Sequence, residues 1–262
     1  MGDIIMARIK IGVLVSGGGS NLQAIMEACQ SGSLSADVMF VGSDNPEAYG
    51  LERARKAAIP TFVTPYDLIK DRFKQNPDHI DLPSDFDLQD ILVRQSLFPP
   101  DHPRSAVESF FKARVAAETH LLRHINSFSF DLLVLAGFMR IFSPYFIDRI
   151  NVDKTKPRIM NIHPALLPSF PGVDGYSDTF EHGCKVGGCT VHFVDYGEDT
   201  GPIIGQKSFD ILPDDTLDSV RSKGLEREWQ LFPECIQLFS ENRLVLDKSG
   251  KKTVVKIIPE RL

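Results

Sequence analysis

The chain has 262 residues, a net charge of −6, and 42% hydrophobic and 24% charged residues, the balance of a folded globular protein with one large domain or two lobes. The acidic balance excludes nucleic-acid binding through a broad basic face, although a local basic pocket for one phosphate is still allowed, and no apolar run reaches the length of a membrane span. The start, "MGDIIMARIKIG", lacks a basic region followed by a long apolar stretch and a cleavage site, so a cytoplasmic protein is expected, its natural opening at Met6.

"IKIGVLV" (9–15) reads as a β-branched strand, "SGGGSN" as a glycine turn and "LQAIMEACQSG" as a helix. "DVMFVGSDN", "GLERARKAAIP" and "TFVTP" continue as strand, helix and strand. The order βαβαβ predicts a parallel sheet with right-handed crossovers. From about Tyr66 to Arg104 prolines and charges break the pattern, which predicts an insertion with little core contribution, or a lid, holding at most the short helix "LQDILVRQSLF". Ser105 is expected to cap a long helix, "AVESFFKARVAAETHLLRHI". "FDLLVLAGF" is a strand buried on both faces. "RIFSPYFIDRI" reads as a loop and short helix, and "RIMNIHPALLP" as a strand and its exit. "GGCTVHFVDYG" and "GPIIGQKSFDI" read as two antiparallel strands. A final helix, a possible edge strand and a basic tail able to form a hairpin follow. The predicted class is α/β: a doubly wound, mostly parallel sheet with a Rossmann-like N-terminal half.

Three motifs carry chemistry. In Ser16-Gly17-Gly18-Gly19-Ser20-Asn21 the glycines allow close backbone approach, and the following helix offers free N–H groups to an anion such as phosphate. The loop matches neither a Walker loop nor the dinucleotide fingerprint; a turn that merely caps its helix is the plain alternative. Asn161 and His163 lie two apart on a strand, hence on one face, at the C-terminal end where open α/β sheets bind ligands. Asp195, Glu198 and Asp199 lie in an acidic loop; one of them is expected to meet His163, with His192 a second candidate partner. Cys29, Cys184, Cys189 and Cys235 form no standard zinc spacing even with His182 and His192 near, so no metal is expected.

Together these motifs resemble the phosphoribosylglycinamide formyltransferase family, folate-dependent enzymes of purine synthesis. The matching segments are "VLVSGGGSNLQAI", "YGLERARKAAIPT", "DLLVLAGFMRIFSP", "IMNIHPALLPSFPG" and "GCTVHFVDYGEDTGPIIGQ", spanning most of residues 9–65 and 131–240. The resemblance implies one formyltransferase domain over 1–262. Residues 8–130 would form a phosphate-binding half with the 66–104 insertion, 131–246 a catalytic and folate-binding half, and 247–262 a tail. It implies transfer of the formyl group of 10-formyltetrahydrofolate, a co-substrate, to the amine of glycinamide ribonucleotide. Nucleic acid and membrane are not expected partners, and the assembly is a monomer or homodimer.

By the same resemblance Asn161, His163 and Asp199 form the catalytic set. Asn161 donates to a tetrahedral oxyanion, a protonated His163 stabilises it, and Asp199 raises the histidine's pKa. Loss of one oxyanion donor costs about 10²–10³ in rate, the scale expected for Asn161→Ala. Gly18, Gly19, Ser20 and Asn21 cradle the phosphate, Glu228 binds the ribose hydroxyls, and the backbone at Pro164 contacts the glycinamide. Met139, Arg140, Ile141 and Phe142, with Val194 and Asp195, line the folate pocket. Two departures stand out: Val173-Asp174-Gly175-Tyr176-Ser177-Asp178 replaces a histidine-bearing segment, and the insertion displaces a basic residue for the phosphate or folate tail, with Arg104 and Arg114 as candidate substitutes. The rival readings are formyltetrahydrofolate deformylase, another 10-formyltetrahydrofolate-dependent formyltransferase, and a non-catalytic binder on the same fold.

Overall fold

A computed structural model describes residues 8–76 and 82–260; the expected opening at Met6 and part of the insertion lie outside them. The chain runs β1 (Ile9–Val15), α1 (Ser20–Ser31), β2 (Ala36–Ser43), α2 (Tyr49–Lys56), β3 (Thr61–Val63), α3 (Tyr66–Gln75), α4 (Leu88–Arg94), α5 (Arg104–Ile125) and β4 (Leu132–Leu135). It continues through α6 (Pro144–Ile150), β5 (Ile159–His163), α7 (Gly175–Glu181), β6 (Val186–Phe193), β7 (Ile203–Asp210), α8 (Leu217–Ser240), β8 (Leu244–Asp247) and β9 (Val254–Ile257).

Seven strands form one sheet in the order β3-β2-β1-β4-β5-β6-β7, parallel from β3 to β5 and antiparallel across β6 and β7. Strand β4 (LLVL) is buried at every position, and β1 from Ile11 to Val15, because both faces are covered there. Ile11, Val13 and Val15 of β1, with Leu132 and Val134 of β4, enter a core completed by Leu22 of α1 and Phe232 of α8. Leu14, Leu133 and Leu135 point the other way, into a core with Phe111 of α5 and Phe146 of α6. The strand order reverses between β1 and β4, so the loops leaving these two strands diverge and open a crevice, the usual ligand position in such sheets.

The structure corrects the reading of the insertion. It is not a lid of little core value: α3 buries Tyr66, Ile69 and Phe73, α4 buries Ile91, and Tyr66, Ile69 and Ile91 join the second core. The apolar spacing was there but diluted by charged residues on the exposed faces. Ser105 is not the cap of α5; the helix starts at Arg104 after Pro103, without a side-chain cap. The expected edge strand, β8, pairs antiparallel with β9 in the tail hairpin, separate from the main sheet. Helix α7, which follows the departing Val173–Asp178 segment, had not been anticipated.

Candidate active site

A cleft of about 390 Å³ opens at the strand-order reversal. Gly18, Gly19, Ser20 and Asn21 line one end, and Met139, Arg140, Ile141, Phe142, Val194 and Asp195 line the other. Asn161, His163, Pro164, Asp199 and Glu228 lie in the same cleft, so the structure brings together the expected catalytic, ribonucleotide and folate residues, but not the candidate cations Arg104 and Arg114.

The glycine loop is shaped by close packing. Gly19, with φ 69°, is the N-cap of α1, and no side chain caps the helix. A Cβ at Gly19 would sit 2.6 Å from Gly50 Cα of α2. Gly50 donates its N–H to the Gly17 carbonyl at 3.0 Å, and Arg53 Nε donates to the Gly18 carbonyl at 2.9 Å. Both contacts turn loop carbonyls toward α2 and leave the helix N-terminus open to an anion. Next to it, Asn21 Nδ2 donates to Glu228 Oε2 at 2.6 Å, and the Tyr176 hydroxyl donates to Glu228 Oε1 at 2.7 Å. Burial pushes the Glu228 carboxyl above its ordinary pKa, against the pull of these two donors. Asn21 Oδ1 is buried and has no partner among the described residues, an acceptor available to a ligand hydroxyl or amine. Tyr176 belongs to the segment that departs from the family pattern, and sequence alone gave no sign that it reaches Glu228.

At the centre, β5 ends with Asn161 and His163. Its exit is pinned to β6: Thr190 Oγ1 donates to the Ala165 carbonyl at 2.7 Å and accepts from the Leu167 N–H at 3.0 Å. His163 Nε2 lies 2.7 Å from the Phe170 carbonyl, which can only accept, so Nε2 carries a proton. Nδ1 lies 3.2 Å from Asp199 Oδ2. Of the three loop acids only Asp199 reaches the histidine. Asp195 accepts from Gly197 N–H and Thr200 Oγ1 within its own loop, and Glu198 is exposed. His192 Nδ1 faces the Phe193 carbonyl at 2.9 Å; its Nε2 lies 3.1 Å from Asn161 Nδ2 and 3.5 Å from Asp199 Oδ1. With the Nδ1 proton directed at the Phe193 carbonyl, Nε2 of His192 accepts from Asn161, whose second amide N–H stays free for the cleft.

Asp199 raises the pKa of His163 as expected, but it is not the larger influence. Burial pushes its pKa below the ordinary value, and the opposing charge of Asp199 does not overcome it. Burial also raises the carboxyl of Asp199, but contact with His192, the charge of His163 and the Gly172 N–H at 2.9 Å outweigh it and hold it below the usual range. Burial thus favours a neutral imidazole and the carboxylate at Nδ1 favours an imidazolium, so the two groups titrate as a pair.

At the far end the Met139–Phe142 loop is tied to the glycine loop. Ser16 Oγ accepts from Met139 N–H at 2.8 Å and donates to Asp44 Oδ1 at 2.5 Å; Asp44 Oδ2 accepts from Arg140 Nε at 2.5 Å. Arg140 also pairs with Asp67 of α3 at 2.7 Å, so its side chain is engaged and its backbone faces the cleft rim. Met139 and Val173 expose large apolar surface there, 54% and 75%, as a site for an apolar ring does. Phe142 is 2% exposed and stacks on Phe138 and Phe146, so packing accounts for much of its role.

A family model described as formyl transferase matches residues 9–236. The chain belongs to the formyl transferase family. The phosphoribosylglycinamide formyltransferase of Haemophilus influenzae is 34% identical over 237 residues, 90% of each chain, and that of Escherichia coli 31% identical over 242 residues, 92% of each. The crystal structure of glycinamide ribonucleotide transformylase 1 from Symbiobacterium toebii is similar with a TM-score of 0.71 at 35% identity, covering 97% of this chain and 95% of that one. A formyltetrahydrofolate deformylase from Pseudomonas syringae, at 18% identity and TM-score 0.67, shares the fold.

Two residues that the sequence offered only as candidates, His192 and Arg114, take definite places in this formyl transferase. His192 touches both Asn161 and Asp199, and Arg114 stacks over Tyr66 at 5.4 Å beside Arg140. Arg104, the other candidate cation, is occupied by Glu108 and Gln89 on the surface of α5. Among the described residues no group of three or more His, Cys, Asp or Glu stands where it would hold a metal ion, and no helix is long and apolar enough to cross a membrane.

Proposed function

We propose that this formyl transferase moves the formyl group of 10-formyltetrahydrofolate to the primary amine of glycinamide ribonucleotide. The observation that carries the reading is the Asn161–His163–Asp199 cluster, set between an anion-accepting helix N-terminus and an apolar rim in one cleft. The relatives named above act in the same sense. The chain reads as one domain, its N-terminal half binding the phosphate on Gly18–Asn21 and its C-terminal half the folate on Met139–Phe142, Val194 and Asp195. Glu228, held by Asn21 and Tyr176, takes the ribose hydroxyls, and the Pro164 backbone the glycinamide. Arg114, next to Arg140, takes the place of the displaced basic residue.

The amine nitrogen attacks the formyl carbon, and the carbonyl oxygen becomes an oxyanion that the free Asn161 N–H stabilises. The amine proton passes to Nδ1 of neutral His163, where it forms a charge-assisted bond to Asp199. The imidazolium adds charge stabilisation to the oxyanion, then returns its proton to N10 as the C–N10 bond breaks. Burial thus leaves His163 able to accept a proton, and Asp199 makes that step less costly.

The test is a folate difference spectrum with purified protein and 10-formyltetrahydrofolate. Folate turnover that requires glycinamide ribonucleotide and is lost in His163→Ala is expected. Equal turnover without the ribonucleotide would make the protein a hydrolase, and none under either condition would overturn the reading.

A further inference from the structure

The loop that follows β6 carries Asp199, the one acid of its three that reaches His163. A surface loop moves unless something outside it holds it. This one is closed from within: the Asp195 carboxylate accepts from Gly197 N–H at 3.1 Å and from Thr200 Oγ1 at 2.6 Å. Residues 195–200 therefore shift as one body, and the outer tie of that body is Tyr196. Its hydroxyl donates to Asp148 of α6 at 2.5 Å and accepts from Arg94 at 3.3 Å and Lys154 at 3.2 Å. The Arg94 guanidinium lies 5.4 Å from the centre of the Tyr196 ring and pairs with both Asp148 and Asp90. The backbone is tied as well: Ser96 N–H donates to the Tyr196 carbonyl at 3.2 Å, and a Cβ on Gly197 would lie 3.0 Å from Ser96 Oγ.

Arg94 and Ser96 belong to the 66–104 segment that interrupts the family pattern, and neither lines the catalytic cleft. Arg94 Nε is buried with no hydrogen-bond partner among the described residues, so the guanidinium holds its place at a cost. Burial works against the Asp148 carboxylate, yet contacts with Arg94, Lys154 and Tyr196 hold its pKa below the usual range, so the anion that anchors the phenol stays charged. We infer that the insertion is a positioning element for catalysis: Arg94 and Ser96 fix Tyr196, and Tyr196 fixes Asp199 beside His163. The inference rests on the reading of the cleft as the active site.

The experiment follows formyl transfer and the imidazole titration of His163 in Arg94→Met and Tyr196→Phe, beside the wild type. Because a displaced catalytic group costs up to roughly 10²-fold in rate, kcat should fall by about tenfold or more. The KM for glycinamide ribonucleotide should stay at its wild-type value, since the glycine loop at the other end of the cleft is untouched. Asp199, His192 and Asp178 are the charged or titratable groups acting on His163, and only Asp199 sits on the tethered loop. The imidazole pKa, read by NMR, should therefore fall in both variants, which a loss of packing alone would not cause. An unchanged kcat, a loss that falls on KM instead, or a lower kcat with an unchanged imidazole pKa overturns the inference. Should Arg94→Met fail to fold, Tyr196→Phe, which keeps the ring, decides the matter alone. Absence of ribonucleotide-dependent turnover in the wild type would refute the active-site reading, and the imidazole titration would still show whether the insertion holds Asp199.

Discussion

Gly19 and Gly32 bracket α1, and both have left-handed backbone, with φ 69° and 80°. They differ in surroundings. A Cβ on Gly32 meets nothing within 4 Å, whereas one on Gly19 would lie 2.6 Å from Gly50 Cα. Gly32→Ala therefore measures the left-handed penalty alone, about 1–2 kcal/mol. Gly19→Ala adds a collision between two backbones. Carbon atoms rest about 3.5 Å apart, so the loop or α2 has to retreat by roughly 0.9 Å, and a backbone atom cannot rotate out of the way. Overpacking of this kind costs about 1–3 kcal/mol, which brings the total to roughly 2–5 kcal/mol. The retreat also strains the Gly50–Gly17 and Arg53–Gly18 hydrogen bonds that orient the loop. Urea unfolding should show Gly19→Ala less stable than Gly32→Ala by about 1–3 kcal/mol. Calorimetric titration with glycinamide ribonucleotide should show at least a tenfold loss of affinity in Gly19→Ala and wild-type affinity in Gly32→Ala. Equal stabilities, or unchanged affinity in Gly19→Ala, would refute the argument that the approach of α2 shapes the anion site.

Two further outcomes follow from the titrating groups. Asp199 is the main influence raising the pKa of His163, so Asp199→Asn should lower it further; imidazole NMR titration reads this directly, and a rise would contradict the assignment. Glu118 is buried on α5, accepts from both the backbone N–H and the hydroxyl of Ser143, and burial pushes its carboxyl up from 4.5 to about 7 against those donors. The native state then holds more protons than the unfolded chain between 4.5 and 7, so this group's contribution falls as pH rises through that window. Glu118→Gln should remove a slope on the order of 3 kcal/mol between pH 4.5 and 8, measured by urea unfolding. A wild-type pH profile in the variant would show that Glu118 titrates normally.

The sheet was legible because its residues answer to one demand each. "IGVLV" (11–15) and "LLVLAGF" (132–138) carry no polar side chain at successive positions, which only a strand covered on both faces requires, and Asn161 and His163 share a face by strand periodicity alone. The site was less legible where long-range approach decides. Nothing local distinguishes Asp199 from Asp195 or Glu198; the difference is that the chain turns at Asp199, φ 52°, beneath His163. Helix α3 was missed because Tyr66, Ile69 and Phe73 are spaced among charges that face water, whereas α4 falls within the expected short helix and only its burial of Ile91 was unforeseen. The sign of the His163 shift was missed because burial, which sets it, is a property of the assembled cleft and not of the motif.

The strand-order reversal explains why one small network joins the two ends of the cleft. Loops leaving β1 and β4 must diverge there, and diverging loops need a rigid link if both substrates are to meet over β5. Ser16 supplies it as both donor and acceptor, receiving the Met139 N–H and giving its proton to Asp44; Asp44 in turn holds Arg140. The Ser16 N–H also donates to the Gly137 carbonyl at 3.0 Å, so the two loops are tied through backbone and side chain together. Asp44 is nearly inaccessible, with 3% of its side chain exposed, so its charge is shared between Arg140 and Ser16 and not with water. Loss of the Ser16 hydroxyl would leave a buried carboxylate short of one donor and release the folate loop from the phosphate loop. The geometry at Asn161 and His163 thus depends on a residue that touches neither, and the glycine motif serves the folate end as much as its own.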